Sequence, residues 1–128
     1  MNLGCVIQVF CLYFKMSYEV LMINEIRFEL VAEKFNLKHL SYVYESCMFM
    51  PNSTWYVAKY YKDEQKISNA VSFKYDERAK RIIPDKWSDD YPNTISIEEF
   101  EQKIQNMLLA LKEAENQYEL EKLKVDFE

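Results

Sequence analysis

The sequence predicts an α+β fold. A small antiparallel β-meander of three to four strands packs against one long C-terminal amphipathic helix, and a further helix precedes the sheet. Three observations carry this. Short runs rich in Tyr, Val and Trp alternate in polarity between residues 39 and 83, parted by turn signals. After Ser96, apolar residues recur at alternating spacings of three and four with no Gly or Pro to the end. The chain has 128 residues, the size of one domain.

The chain starts with an apolar run from Leu3 to Phe14, broken by Gly4 and Gln8. It is short of the roughly 20 residues that span a bilayer. It also lacks the positive start and small-residue cleavage site of a signal peptide. Two readings fit residues 1–21. They form a strand buried on both faces, or they are a gene-model extension ahead of a start at Met16 or Met22. In the second case the domain begins near Asn24.

Residues 24–37 read as a helix. Phe28, Val31 and Phe35 share a helical face, Ala32-Glu33-Lys34 favours helix, and Asn24 can cap it. The alternation of Ile26, Phe28 and Leu30 with Arg27 and Glu29 also suits a strand. Residues 39–83 read as the sheet. His39 to Met50 is the first strand, and Pro51-Asn52-Ser53 is a turn. Thr54 to Tyr61 is the second, with Tyr56, Tyr60 and Lys62 on one face and Trp55, Val57, Lys59 and Tyr61 on the other. Asp63 to Lys66 connects, Ala70 to Asp76 is the third strand, and Ile82-Ile83-Pro84 is a short edge strand. Residues 84–95 read as a loop.

The long helix is predicted over 96–124. Ser96 and Glu99 form a capping box, and the stripe runs Ile97, Phe100, Ile104, Met107, Leu111, Ala114, Tyr118. Such a helix is about 42 Å long, more than a small sheet covers. The expectation is therefore a homodimer joined through the distal helix or a sheet edge.

Composition excludes several chemistries. The only glycine is Gly4, so neither a Walker loop nor a dinucleotide fingerprint can be written. The net charge is −5, unsuited to nonspecific binding of nucleic acid. Residues 51–90 carry eight Lys/Arg against seven Asp/Glu, and residues 91–128 carry four against nine, so the acid collects in the last helix. Cys5, Cys11 and Cys47 sit among apolar neighbours and read as reduced thiols of a cytoplasmic protein. Asn52-Ser53-Thr54 is a glycosylation acceptor only in a secreted chain.

Three constellations bear on chemistry. Cys5, Cys11, His39 and Cys47 lack the close ligand pairs of a zinc site. His39 and Cys47, on one extended strand, lie about 26 Å apart. Asp89-Asp90, beside Trp87, reads as a solvated pair in a loop. No catalytic residue, metal or cofactor is assigned, and no membrane contact is expected.

Two binding surfaces remain. The acids of the last helix form the first, with Glu113, Glu115 and Glu119 facing a partner protein that has a basic surface. Tyr60 and Tyr61 serve as exposed anchors. The second is a nucleic-acid or nucleotide surface on the hairpin, using Tyr56, Lys62, Lys74, Arg78, Lys80 and Arg81. The chain is short, acidic, poor in Gly and rich in Lys, Asn, Glu and Tyr. In texture it is similar to small accessory proteins of phages and mobile elements. That similarity implies a non-enzymatic inhibitor that binds and occludes a host defence or nucleic-acid enzyme. The leading expectation is thus a small protein-interaction module, with the nucleic-acid surface second.

Overall fold

Helix α1 (Glu25–Lys34) opens the part of the chain that the computed structural model describes, residues 24–91 and 95–127. The apolar run expected as a strand or an extension lies outside the described residues. Asn24 caps α1 by accepting the Arg27 backbone N–H at 3.1 Å. The helix ends where Asn36 takes φ 57°, a left-handed position that a chain with one glycine fills with asparagine. Leu37 N–H then bonds Ala32 C=O at 2.8 Å and Asn36 N–H bonds Glu33 C=O at 3.0 Å, satisfying the last carbonyls.

The first strand expected over 39–50 is instead a hairpin. Strands β1 (His39–Ser41) and β2 (Glu45–Phe49) pair antiparallel, Leu40 opposite Cys47, around a turn at Tyr42-Val43-Tyr44. All three turn residues are exposed, and Tyr42 N–H bonds Glu45 C=O at 2.7 Å. Aromatic and β-branched residues mimic strand here because propensity registers side-chain type, not burial.

Strand β3 (Tyr56–Tyr61) pairs with β2, and the register slips between Met48 and Phe49. Val57 is the extra residue of this bulge. It joins Ala58 in the core, while Tyr56 swings to the outer face beside Phe49, ring centroids 5.2 Å apart. The expected grouping of Tyr56 with Tyr60 and Lys62 is thereby broken.

The third strand begins earlier than expected. Strand β4 (Lys66–Ala70) pairs with β3 and β5 (Phe73–Asp76) continues it after a bend. The returning strand is β6 (Arg81–Pro84), where a short edge strand is expected, followed by β7 (Trp87–Asp90), in the stretch expected to be a loop. One register runs through both halves. Ile67 opposes Asp90, Ala70 opposes Trp87, Phe73 opposes Pro84 and Asp76 opposes Arg81. At the bend, Val71 N–H bonds Lys86 C=O and Asp85 N–H bonds Ser72 C=O, each at 2.8 Å. The hairpin is therefore a single long ribbon. Its base completes a five-stranded antiparallel sheet of order β1-β2-β3-β4-β7, and its tip, β5–β6, extends as an arm.

Helix α2 (Ile97–Phe127) is 31 residues, about 46 Å long, and Ser96 Oγ accepts Glu99 N–H at 3.2 Å as the capping box predicts. Phe100, Ile104, Met107 and Leu111 are buried against the inner sheet face, which presents Met48, Ala58, Tyr60 and Ile67. Phe28 of α1 stacks on Phe100 at 5.8 Å and meets Tyr60 at 6.2 Å, so both helices share one core. Lys103 pairs with Asp90 and Lys34 with Glu101, both at 2.6 Å, fixing α2 to β7 and to α1.

Beyond Leu111 the sheet ends and the arm takes over. Tyr75 of β5 stacks on Tyr118 at 4.3 Å with an interplanar angle of 10°. The stripe at Ala114 and Tyr118, expected to run past the sheet, is thus partly buried against the rest of the chain, Tyr118 on the arm. Leu109, Leu120, Leu123 and Val125 remain exposed. Among the described residues no helix is long and apolar enough to cross a membrane.

Candidate functional site

Both helices pack on the inner face of the sheet, and among the described residues no helix covers the outer face. Alternation places Glu45, Cys47, Lys59, Tyr61, Lys66, Ser68, Trp87 and Asp89 on that face, and the bulge adds Tyr56. Cross-strand pairing arranges them in rows. Lys59, Ser68 and Asp89 form a polar row across β3, β4 and β7, and Ser68 donates a hydrogen bond to Asp89. Tyr61 lies on one side of this row. Trp55, Tyr56, Trp87 and Pro84 lie on the other. Together they enclose an open cleft of about 480 Å³. Trp55 and Trp87 remain 41% and 42% exposed, unusual for the two largest side chains of a small protein.

The cleft is electrically balanced. Lys59 pairs with Glu45 at 3.5 Å and sits 4.3 Å from the Tyr56 ring centroid. Lys66 pairs with Asp89 at 4.0 Å and Glu64 at 3.6 Å, and lies 4.8 Å from the Tyr61 centroid. Desolvation draws the Lys66 pKa down, but Asp89 and Glu64 outweigh it, so the amine stays a cation. The cleft can therefore offer π-faces and a hydrogen-bonding floor, without the net positive field that a polyanion needs.

Nothing in it is poised for nucleophilic catalysis. Cys47, beneath this face, is fully buried, and desolvation and then the Glu45 carboxylate push its thiol up to about 11. At pH 8 about one thiol in a thousand is then ionised, against roughly a quarter for an ordinary cysteine. Iodoacetamide should accordingly label the Cys47 peptide more than 100-fold slower in the native protein than in urea, followed by mass spectrometry. Equal rates would place Cys47 at the surface.

His39 and Cys47 come closer than an extended strand allows, but face opposite ways, since Leu40, not His39, opposes Cys47. His39 instead reaches Glu33 at 3.5 Å. Asp89 and Asp90 diverge on strand β7. Asp89 meets Ser68 on the outer face and Asp90 meets Lys103 on the inner. A serine–lysine cluster does exist: Lys62 Nζ donates to Ser41 Oγ at 2.9 Å. Glu25 binds that same Lys62 at 3.0 Å, and its carboxyl pKa is lowered by the Ser41 hydrogen bond and then by Lys62. The Lys62 amine is thus engaged by the Glu25 carboxylate and the Tyr42 carbonyl as well as by Ser41. The cluster pins the start of α1 to the sheet. Among the described residues no three or more His, Cys, Asp or Glu converge as a metal site.

The residues singled out from sequence distribute as follows. Tyr60 is 6% exposed and faces Phe28, which corrects its expected exposure. Tyr61 lies in the outer cleft, as does Tyr56. Lys62 is engaged with Glu25, and Lys74 pairs with Asp85 at 3.5 Å. Arg78 is exposed at the tip of the arm. Lys80 and Arg81 face Glu115 and Glu119 across a second cleft, between the arm and α2, of about 350 Å³. Glu113 lies about 200° around the helix from Glu115. The expected basic surface is therefore not one surface, and part of the expected acidic one faces the arm. Sequence reasoning missed Trp55, Trp87 and Asp89 as one group, since Trp87 and Asp89 sit in the stretch read as a loop.

These features define a small sheet-and-helix protein with an aromatic cleft on its outer sheet face. The chain matches no protein-family model, no curated protein and no solved structure.

Proposed function

We propose that the protein is a non-enzymatic interaction module whose outer sheet face takes an apolar-anchored segment of a partner protein. The observation that carries this is the charge-balanced aromatic cleft between Trp55, Trp87 and Tyr61. Trp and Tyr dominate protein–protein hot spots, where a fully desolvated centre is ringed by weaker contacts. A volume of about 480 Å³ suits one or two anchoring side chains. The paired Lys59, Lys66 and Asp89 form the polar rim. In this reading the protein acts by occupying its partner's surface, as a phage or mobile-element inhibitor of a host defence or nucleic-acid enzyme would. The anchoring site moves from the acidic helix to the sheet. Nucleic acid is the weaker reading because Lys62, Lys74 and Arg81 do not share a face.

The test compares cross-linked capture by three forms of the protein after nuclease treatment. The natural chain and Glu113→Lys/Glu115→Lys/Glu119→Lys should enrich the same protein. Trp55→Ala/Trp87→Ala should lose it by at least about 30-fold, the effect of one 2 kcal/mol hot spot. Capture indifferent to the tryptophans, or abolished by nuclease, would overturn the reading.

A further inference from the structure

The second cleft, between the arm and α2, has chemistry the outer face lacks. One wall is basic, with Lys80 and Arg81, and the other carries Glu115, Asn116 and Glu119 on a single helical face. The stacked rings of Tyr75 and Tyr118 lie between them. Opposite charges face each other here, yet no ion pair within the described residues joins Lys80 or Arg81 to Glu115 or Glu119. Arg81 Nε is buried and makes no hydrogen bond. A guanidinium has five donors, and leaving one buried without an acceptor costs free energy. Lys80 stands at φ 54°, a left-handed conformation in which lysine costs roughly 1 kcal/mol over glycine.

We propose that this cleft binds a single nucleoside monophosphate, guanine preferred. The phosphate meets Lys80 and Arg81, for which a charge-assisted, bidentate-capable guanidinium is the usual grip. The base lies against the tyrosine pair, where stacking contributes about 1–3 kcal/mol. Its edge meets the helix wall. A carboxylate accepts two hydrogen bonds side by side, so it pairs with an edge that presents two adjacent donors. Among the four common bases only guanine has one, N1–H beside the 2-amino group. Glu115 or Glu119 supplies the carboxylate and Asn116 can reach the neighbouring carbonyl. The same acidic wall, Glu115 and Glu119, turns away a polynucleotide, whose further phosphates would lie beside it. One anionic group is accepted and a chain of them is not.

Isothermal titration of the full chain with GMP, AMP, CMP, UMP and inorganic phosphate tests this. GMP should saturate one site, with the other nucleotides and phosphate at least about tenfold weaker, the loss expected when a charged hydrogen-bond acceptor goes unpaired. Lys80→Gly removes the amine and relieves the left-handed strain. It should melt at a higher temperature yet bind GMP about 5- to 10-fold more weakly. Glu115→Gln/Glu119→Gln should bring GMP and AMP to within about threefold, because the paired acceptor is lost. Trp87→Ala should leave GMP binding unchanged, which keeps failure here distinct from failure of the sheet-face reading. Absence of nucleotide binding at millimolar concentration would overturn the proposal. So would phosphate binding as tightly as GMP, or full GMP affinity in Lys80→Gly.

Discussion

Phe100→Ala should destabilise the protein by about 3–5 kcal/mol, the range for removing a fully buried phenyl ring. Phe100 is 0% exposed and stacks on Phe28, itself 0% exposed, which in turn meets Tyr60. The ring is the point where α1, α2 and β3 touch, so no single element can collapse into the space left behind. A domain of this size commonly has about 5–15 kcal/mol to lose, so the variant should stand near the edge of folding at 37 °C. Urea unfolding followed by circular dichroism should show a lowered midpoint at unchanged slope. Leu120→Ala, 60% exposed on the same helix, should shift stability by no more than about 0.5 kcal/mol. A Phe100→Ala loss below about 1 kcal/mol would mean that the two helices do not share one core.

The contrast between Phe100 and Leu120 shows which parts of the fold were legible. Long helical periodicity is a redundant signal. Seven apolar positions agree from Ile97 to Tyr118, and Ser96 with Glu99 marks the start, so α2 is readable to within a few residues. Asn24 did the same for α1, despite a pattern that also fits a strand. The sheet carries less redundancy, because strands are short and one residue of slip inverts a face. Val57 illustrates this. Nothing in Trp55-Tyr56-Val57-Ala58 announces an extra residue, yet the bulge moves Tyr56 outward and Val57 inward.

Strand β7 was illegible for a different reason. Trp-Ser-Asp-Asp contains depleted strand residues and follows a proline, so local preference argues for a loop. It is a strand because β6 is held in register by β5, and the ribbon simply continues past the bend at Val71-Ser72 and Asp85-Lys86. The candidate cleft inherits this illegibility. Its tyrosines lie on a strand that propensity identifies, but Trp87 and Asp89 reach it only through the ribbon. Lys80 and Arg81 are recognisable in the sequence as basic residues. That they would face Glu115 and Glu119 depends on the direction in which the arm bends, a tertiary fact that no local pattern encodes.

That arm yields the second large effect. Tyr118→Ala should free the arm and the distal helix from each other while leaving the sheet intact. Tyr75 and Tyr118 pack ring on ring at 4.3 Å, and among the described residues the helix has no buried residue beyond Leu111. Losing the pair removes about 0.5–1.5 kcal/mol beyond simple burial, with burial itself adding a similar amount. The local opening free energy should therefore fall by about 1–3 kcal/mol, speeding amide exchange in residues 73–84 by about 5- to 150-fold. Amides of β2 and β3 should keep their rates, since their partners lie in the five-stranded sheet. Tyr75→Ala should reproduce the effect, and the double variant should fall short of the sum by roughly the pair energy. Titration offers an independent readout. A hydrogen bond with Tyr118, followed by desolvation, raises the Tyr75 phenol above its usual value of 10.0. A group whose pKa is raised by folding stabilises most below its unfolded pKa and loses that contribution as pH climbs. The arm's protection should thus decline above pH 10 in the natural chain, and Tyr118→Phe should shrink that Tyr75-linked step, since desolvation and the Glu77 and Asp76 carboxylates still raise the phenol. Exchange that accelerates everywhere at once would instead make arm, helix and sheet a single cooperative unit, with the arm–helix cleft no more able to open than the core.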